Sequence, residues 1–253
     1  MTGALHAQLA APPQWRTLGP GNTSGRIVDL AVDPIDHDVW YVASASGGLW
    51  KTTNGGTTFA PVFDHADTVS LGAVAVAPSQ PQTVWVGTGE ANARNSVSWG
   101  DGCYVSRDGG ATFTHVGLEA TAQIGRIAIH PTNPELVLVA ACGRLWGPNP
   151  ERGVYRTADG GKSWVQALKV DAETGAVDVV FDPGDPNRVY AATWTRRRNA
   201  FDVNDPEVRF GKGAGIWRST DAGATWTRLI HGLPNCAMGR IGLAVSPAKP
   251  GAV

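Results

Sequence analysis

The sequence predicts an all-β fold, a β-propeller of four-stranded blades that is incomplete. Three observations predict it: a composition suited to short strands, a turn motif that occurs four times, and an apolar strand ending in proline ahead of each motif. The 253 residues include 32 glycines and 17 prolines, and only 17% are charged. This balance favours many strands joined by tight turns over long helices.

Charge and cysteine content exclude several classes of function. A net charge of −1 gives no general attraction to nucleic acid or to an anionic membrane. No apolar stretch approaches the ~18 residues of a membrane span. Cys103, Cys142 and Cys236 lack the spacing of a zinc site or a disulfide framework and leave room for one bridge, and the six histidines occur singly. We therefore expect no metal, no cofactor and no nucleic-acid partner.

The repeated motif runs from an aromatic-containing strand into a tight turn. Its copies occupy residues 49–59, 103–113, 154–164 and 216–226, with an acidic or amide residue at Asn54, Asp108, Asp159 and Asp221. That side chain can accept hydrogen bonds from backbone N–H groups ahead of it, and the glycines supply positive φ. The motif is the Asp box, and we expect these four residues to be structural.

Each Asp box lies inside a larger unit of four strands, which we name A to D. A first strand ends in a proline, at positions 34, 78, 131, 183 and 247, and a second apolar strand surrounds Trp40, Trp85, Leu138 and Tyr190. The box then forms the C–D turn. Radial repetition of such sheets predicts propeller blades at about 25–62, 69–116, 124–168 and 175–230.

The two ends of the sequence predict unpaired blade strands. Residues 15–18 (WRTL) resemble 226–229 (WTRL), which predicts a lone D strand, and residues 239–247 predict a lone A strand. We interpret 15–253 as the front part of a longer propeller, whose remaining blades are its partners. Residues 1–14 are a leader, either the end of a signal peptide with a cleavage site before Gln8 or a disordered segment.

Several further stretches carry a family resemblance: 87–96 (GTGEANARNS), 99–102 (WGDG), 145–149 (LWGPN) and 194–198 (WTRRR). With the boxes, they resemble the sortilin N-terminal-like branch of the Asp-box superfamily, which also includes sialidases, xyloglucanases and photosystem assembly propellers. The resemblance implies a large bacterial protein that is secreted or periplasmic. Such proteins often carry the label glycosyl hydrolase, which mostly reflects the repeat, so fold alone does not settle function.

The long B–C loops are the predicted ligand-binding region. The first is short (44–47), whereas the next three span 88–101, 143–152 and 195–214. Aromatic side chains beside arginine, asparagine and acids suit a sugar, or a peptide with a terminal carboxylate. The candidate ligand-binding residues are Glu90, Asn92, Arg94, Asn95, Trp99, Asp101, Arg144, Trp146, Trp194, Arg196 and Arg197. The alternative is that Glu90, Arg94 and Asp101 brace their loop and that 196–198 is a solvated charge run.

Two enzymatic hypotheses can be compared with the sequence. Sialidases clamp a carboxylate with three arginines, but Arg26, Arg126 and Arg240 stand at different distances from their strand-A prolines. Xyloglucanases place a catalytic Asp before the Gly-Gly that opens an early strand C, where this chain has Ala45. Glu90 and Asp101 are the other catalytic candidates, since glycoside hydrolysis usually needs two carboxylates.

We therefore expect a binding propeller for a carbohydrate or peptide. The alternatives are a glycoside hydrolase and a scaffold for a protein partner.

Overall fold

The computed structural model describes residues 26–93, 97–198, 208–249 and 251–253, and it contains four antiparallel four-stranded sheets. The first is β1 (Ile27–Val32), β2 (Trp40–Ser44), β3 (Leu49–Thr52) and β4 (Ala60–Pro61). The second is β5 (Leu71–Ala77), β6 (Gln80–Thr88), β7 (Cys103–Ser106) and β8 (Thr114–His115). The third is β9 (Ile124–Ile129), β10 (Val137–Ala141), β11 (Gly153–Thr157) and β12 (Val165–Leu168). The fourth is β13 (Thr174–Asp182), β14 (Asp185–Thr195), β15 (Gly215–Ser219) and β16 (Thr227–Arg228).

Strand order within every sheet follows the chain, so each blade is a four-stranded meander. The predicted fold class, an incomplete all-β propeller, is confirmed. A 3₁₀ turn, Glu119–Thr121, connects the second blade to the third. No helix in the described part of the chain is long and apolar enough to cross a bilayer.

The Asp box of the third blade shows why the motif needs its residue types. The Asp159 carboxylate accepts hydrogen bonds from the Ser163 backbone N–H (3.0 Å), the Ser163 hydroxyl (2.6 Å) and the Thr157 hydroxyl (2.7 Å). Gly160 and Gly161 follow at φ +71° and +90°, a backbone region that L side chains rarely adopt. These bonds, above all those from Ser163, hold the pKa of Asp159 at about 2.

The core lies between successive blades rather than inside any one of them. The Trp164 ring of the third Asp box meets the fully buried Trp85 ring of the second blade edge to face, with centroids 6.0 Å apart. Its indole N–H donates to the Val116 carbonyl at 2.7 Å. The Trp164 aromatic therefore covers the neighbouring sheet, which couples local turn chemistry to interblade packing.

Two predicted end strands, at 15–18 and 239–247, and the three cysteines remain to be placed. Residues 15–18 and the leader 1–14 lie outside the described residues. Residues 239–247 contain no strand, because an A strand is defined by its ladder to a B strand and no such partner occurs among the described residues. The cysteines are unbridged: Cys103 and Cys142 are buried and Cys236 is exposed.

Candidate functional site

The three long B–C loops emerge at the same edge of their sheets, between β6 and β7, β10 and β11, and β14 and β15. The D–A connections reach this edge as well, because strands alternate in direction within each blade. We call this edge the B–C face. The Asp-box turns lie at the opposite edge.

An exposed aromatic patch forms where two of these loops meet. Trp99 in the second-blade loop is 51% exposed, and Trp146 in the third-blade loop is 45% exposed. The Arg144 guanidinium lies over the Trp99 ring, 5.6 Å from its centroid, and so joins the two loops. We call Trp99, Arg144 and Trp146 the aromatic patch. All three were predicted ligand-binding residues, and they present an amphipathic surface to solvent.

Glu90, a predicted ligand-binding and catalytic residue, lies in the interior. Its side chain is fully buried and accepts a bond from Arg26 Nε at 3.0 Å on Oε1, with a second bond from Arg26 to Oε2. Arg26 itself is 35% exposed. Glu90 therefore joins the second-blade loop to the start of the first blade, and its burial favours the alternative that it braces this loop.

Two further predicted ligand-binding residues, Trp194 and Arg196, are buried as well. Trp194 is 6% exposed, and its indole N–H donates to the Arg209 carbonyl at 2.8 Å. Arg196 is 1% exposed and is held by main-chain carbonyls and by Gln123. Arg197 instead forms an ion pair with Glu173, in which both side chains are about one-third exposed.

Asp101 remains within reach of solvent at the end of the second-blade loop. Its Oδ2 accepts a bond from the Tyr104 hydroxyl at 2.6 Å, and its Oδ1 accepts one from the Thr88 hydroxyl at 3.1 Å. Burial and this bond raise the pKa of the Tyr104 phenol, which therefore stays protonated as a donor. Asp101 is thus a fixed carboxylate at the partly exposed base of the loop.

Three predicted ligand-binding residues remain: Asn92, Arg94 and Asn95. The Asn92 amide oxygen accepts a bond from Arg240 Nη1 at 2.6 Å. Arg94 and Asn95 lie outside the described residues.

The three arginines of the Gly-Arg-Ile segments engage different partners. Arg26 pairs with Glu90 and Arg240 with Asn92, whereas Arg126 lies between Asp29 and Asp178 at 3.2 and 3.4 Å. Each guanidinium therefore has a protein acceptor of its own. This arrangement favours blade-to-blade bracing over a shared carboxylate clamp. Within the ranges that the structure describes, no group of three or more His, Cys, Asp or Glu could hold a metal ion.

Comparison with known proteins identifies the family. The model of the Sortilin-Vps10 family, described as sortilin, neurotensin receptor 3, matches residues 101–247. The chain belongs to this family. That assignment agrees with the resemblance noted from the sequence.

Individual relatives are xyloglucanases by name. A Paenibacillus xyloglucanase is 25% identical over 250 residues, covering 85% of this chain and 22% of the relative. Xyloglucanase Xgh74A of Acetivibrio thermocellus is 25% identical and covers 83% of this chain and 26% of the relative. The chain therefore spans about a quarter of the length of these relatives.

Solved structures agree on the fold. An ancestral GH74 enzyme superposes with a TM-score of 0.63 at 25% identity, over 88% of this chain and 26% of the other. A GH74 enzyme of Niastella koreensis gives 0.57 at 23% identity, over 79% of this chain and 28% of its own. At that identity the second similarity concerns the fold alone.

Ala45 stands where the resemblance to xyloglucanases places a catalytic Asp. The residue is 1% exposed, and its backbone N–H donates to the Arg26 carbonyl at 2.9 Å. Its methyl group offers neither acid nor nucleophile. A hydrolase built on this chain therefore requires a different carboxylate.

Sequence reasoning missed Arg152, the last residue of the third-blade loop, which is fully buried. Nothing in the spacing separates Arg152 from an ordinary surface arginine before a strand. The local signal is weak: Arg152 stands directly before the apolar strand β11, two residues after Pro150. Its role depends on carbonyls 21 and 44 residues away in the chain, which no local pattern encodes.

Proposed function

We propose that this chain is part of a glycoside hydrolase of the Asp-box propeller type and that its B–C face binds a xyloglucan-type polysaccharide. The carrying observation is the aromatic patch, in which two half-exposed tryptophans stand on neighbouring loops beside an arginine. Aromatic rings with a polar edge suit the apolar faces and hydroxyl rims of sugar rings. Relatives named xyloglucanases, aligned over more than four-fifths of the chain, support hydrolysis as the activity class.

The proposed binding residues are the candidates that solvent reaches. Trp99 and Trp146 stack on sugar rings, and Arg144 fixes one tryptophan while offering N–H donors to hydroxyls. Asp101 and Asn92 line the same loop at its base and middle. Glu90, Trp194 and Arg196 support these loops from below.

The reaction needs carboxylates on both sides of the scissile bond. Asp101 is the candidate from this chain, because its fellow candidate Glu90 is buried and ion-paired. We place the second carboxylate in the remainder of the full-length protein, since the relatives are about four times longer than this chain. Xyloglucan is a polysaccharide of cell walls, so the proposal includes a secreted or periplasmic location.

A second candidate function is glycan binding without turnover. Ala45 favours it, because the position that resembles a catalytic Asp carries no ionisable group. The same face and the same aromatic patch would serve this function. The two candidates differ only in whether bonds are broken.

The deciding experiment incubates the full-length protein with xyloglucan and measures both the release of reducing ends and binding. Release by the wild type supports the hydrolase, and loss of release in Asp101→Asn assigns Asp101 to the chemistry. Release that survives Asp101→Asn keeps the hydrolase but moves the carboxylate elsewhere. Binding without release supports the second candidate, and the absence of both overturns the proposal.

Variants of the aromatic patch test the binding surface itself. Trp99→Ala with Trp146→Ala should weaken binding by roughly tenfold or more, since buried aromatic anchors dominate recognition. Ile35→Ala is the matched control, because Ile35 is 78% exposed in the β1–β2 turn at the opposite edge. Equal affinities for the control and the double variant would contradict the assignment of the patch.

A further inference from the structure

Two buried arginines under the B–C face have no carboxylate among their described hydrogen-bond partners. Arg152 is fully buried and Arg196 is 1% exposed. Arg152 donates to Asn149 Oδ1 (2.8 Å) and to the carbonyl oxygens of Arg144 (2.5 Å), Gly147 (3.2 Å), Glu173 (2.5 Å) and Arg196 (2.7 Å). The acceptors are thus almost entirely main-chain atoms.

Arg196 extends the same pattern to the second-blade loop. Its guanidinium donates to the Ala91 carbonyl at 2.9 Å and to the Gly143 carbonyl at 3.3 Å, and it also bonds the Gln123 side chain. Its own carbonyl accepts a bond from Arg152. The two side chains therefore connect the B–C loops of the second, third and fourth blades in one continuous network.

Burying two guanidinium groups in this way costs more free energy than a role in packing alone would justify. Burial lowers the pKa of both guanidinium groups, that of Arg152 to about 10. An arginine side chain stays charged in proteins at neutral pH. A buried charge without a counter-charge destabilises the fold unless hydrogen bonds satisfy it. Arginine suits the task because its planar fork presents five N–H donors in fixed directions. Carbonyls that meet this fork are fixed in position as well.

The fixed carbonyls flank the aromatic patch directly. Arg152 holds the carbonyls of Arg144 and Gly147, the residues on either side of the segment that carries Trp146. The Arg144 side chain in turn lies over Trp99. The network therefore reaches Trp146 through main-chain atoms of its own loop and reaches Trp99 through the Arg144 side chain.

We propose that Arg152 and Arg196 are positioning residues that fix the spacing of Trp99 and Trp146 before a glycan binds. This inference rests on the proposed function of the B–C face. Loops that are already ordered lose less conformational entropy on binding, so the network raises affinity without touching the ligand. Removing its hydrogen bonds should loosen the patch while leaving the blades folded.

The test uses Arg152→Lys in the full-length protein, which keeps the charge but has three donors in place of five. Amide hydrogen exchange of the unliganded variant should rise at residues 97–101 and 143–149. Its Kd for a xyloglucan oligosaccharide should rise by roughly tenfold, measured by titration calorimetry. Arg156→Lys is the matched control, because Arg156 Nε donates to the Ala222 carbonyl (3.1 Å) at the opposite edge. It should change neither quantity.

A double variant separates positioning from general stability. If Arg152 acts through the patch, Arg152→Lys should cost little further affinity once Trp146 is already alanine. Fully multiplicative losses, or unchanged exchange in Arg152→Lys, would overturn the inference. Asn149→Ala removes one acceptor of the network and gives the same readout, in the same direction, should Arg152→Lys fail to fold.

The exchange measurement also keeps the two proposals apart. A wild type that binds no xyloglucan oligosaccharide overturns the proposed function. Loop exchange in Arg152→Lys that stays at the wild-type level overturns the positioning role, whatever the ligand.

Discussion

The ion pair between Arg26 and Glu90 predicts an unequal response to the loss of either partner. Glu90 is fully buried, whereas Arg26 keeps 35% of its side-chain surface in contact with solvent. Arg26→Met leaves a buried carboxylate without this counter-charge. Glu90→Gln leaves an arginine that water can still reach and keeps one acceptor oxygen in place. The arginine variant should therefore be the less stable of the two.

The difference in exposure between Glu90 and Arg26 also sets the expected loss of stability for each variant. Stranding one partner of a buried ion pair costs about 3–5 kcal/mol, which we expect for Arg26→Met. Losing one charge-assisted hydrogen bond costs about 1.5–3 kcal/mol, and partial exposure of Arg26 places Glu90→Gln at the lower end.

Urea unfolding monitored by tryptophan fluorescence measures both free energies at neutral pH. The expected order of stability is wild type, Glu90→Gln, then Arg26→Met. Equal losses, or a larger loss for Glu90→Gln, would refute the argument from burial. A folded Glu90→Gln that binds xyloglucan normally would further support Glu90 as a loop brace, and selective loss of hydrolysis would restore it as a catalytic residue.

Further predictions concern the boxes and the contact between blades. The pKa of Asp159 is depressed to about 2, so its charged form stabilises the fold above the ordinary carboxyl pKa, and this contribution is lost as pH falls through about 2. Asp159→Asn, which copies the natural amide at Asn54, should have a lower free energy of unfolding than the wild type at pH 7. This difference in stability should disappear in acid unfolding near pH 2. A difference that persists there would contradict the stabilising role of the charged Asp159 side chain. Gly72→Ala should destabilise by about 1–3 kcal/mol or more in urea unfolding, because its Cβ would lie 2.0 Å from the Ile124 carbonyl oxygen, whereas a Cβ at Gly242 meets nothing within 4 Å. Equal stabilities for Gly72→Ala and Gly242→Ala would contradict the close approach of the second and third blades.

Local sequence patterns predicted the blades because the Asp box is a local device. The hydroxyl, carboxylate and glycines that form it lie within seven residues of one another, as from Thr157 to Ser163. Strand alternation and the terminal prolines are local as well. The predicted lone A strand at 239–247 has no ladder among the described residues, because a ladder depends on a partner strand that a local pattern cannot supply.

Contacts with residues distant in the chain determine which predicted site residues are buried and which are exposed. Trp99 and Trp146 were predicted on long loops and are exposed there. Glu90 depends on Arg26, 64 residues away, and Arg196 depends on the Ala91 carbonyl, 105 residues away. A sequence shows that a charged residue stands in a loop, but only the fold shows whether its side chain points into the interior or into solvent.

The most direct test of the account is a crystal structure of the full-length protein with a xyloglucan oligosaccharide. We expect sugar rings stacked on Trp99 and Trp146 across the B–C face, with Glu90, Arg152 and Arg196 beneath them and untouched by the ligand. An oligosaccharide bound at another surface, with Trp99 and Trp146 still bare, would contradict it.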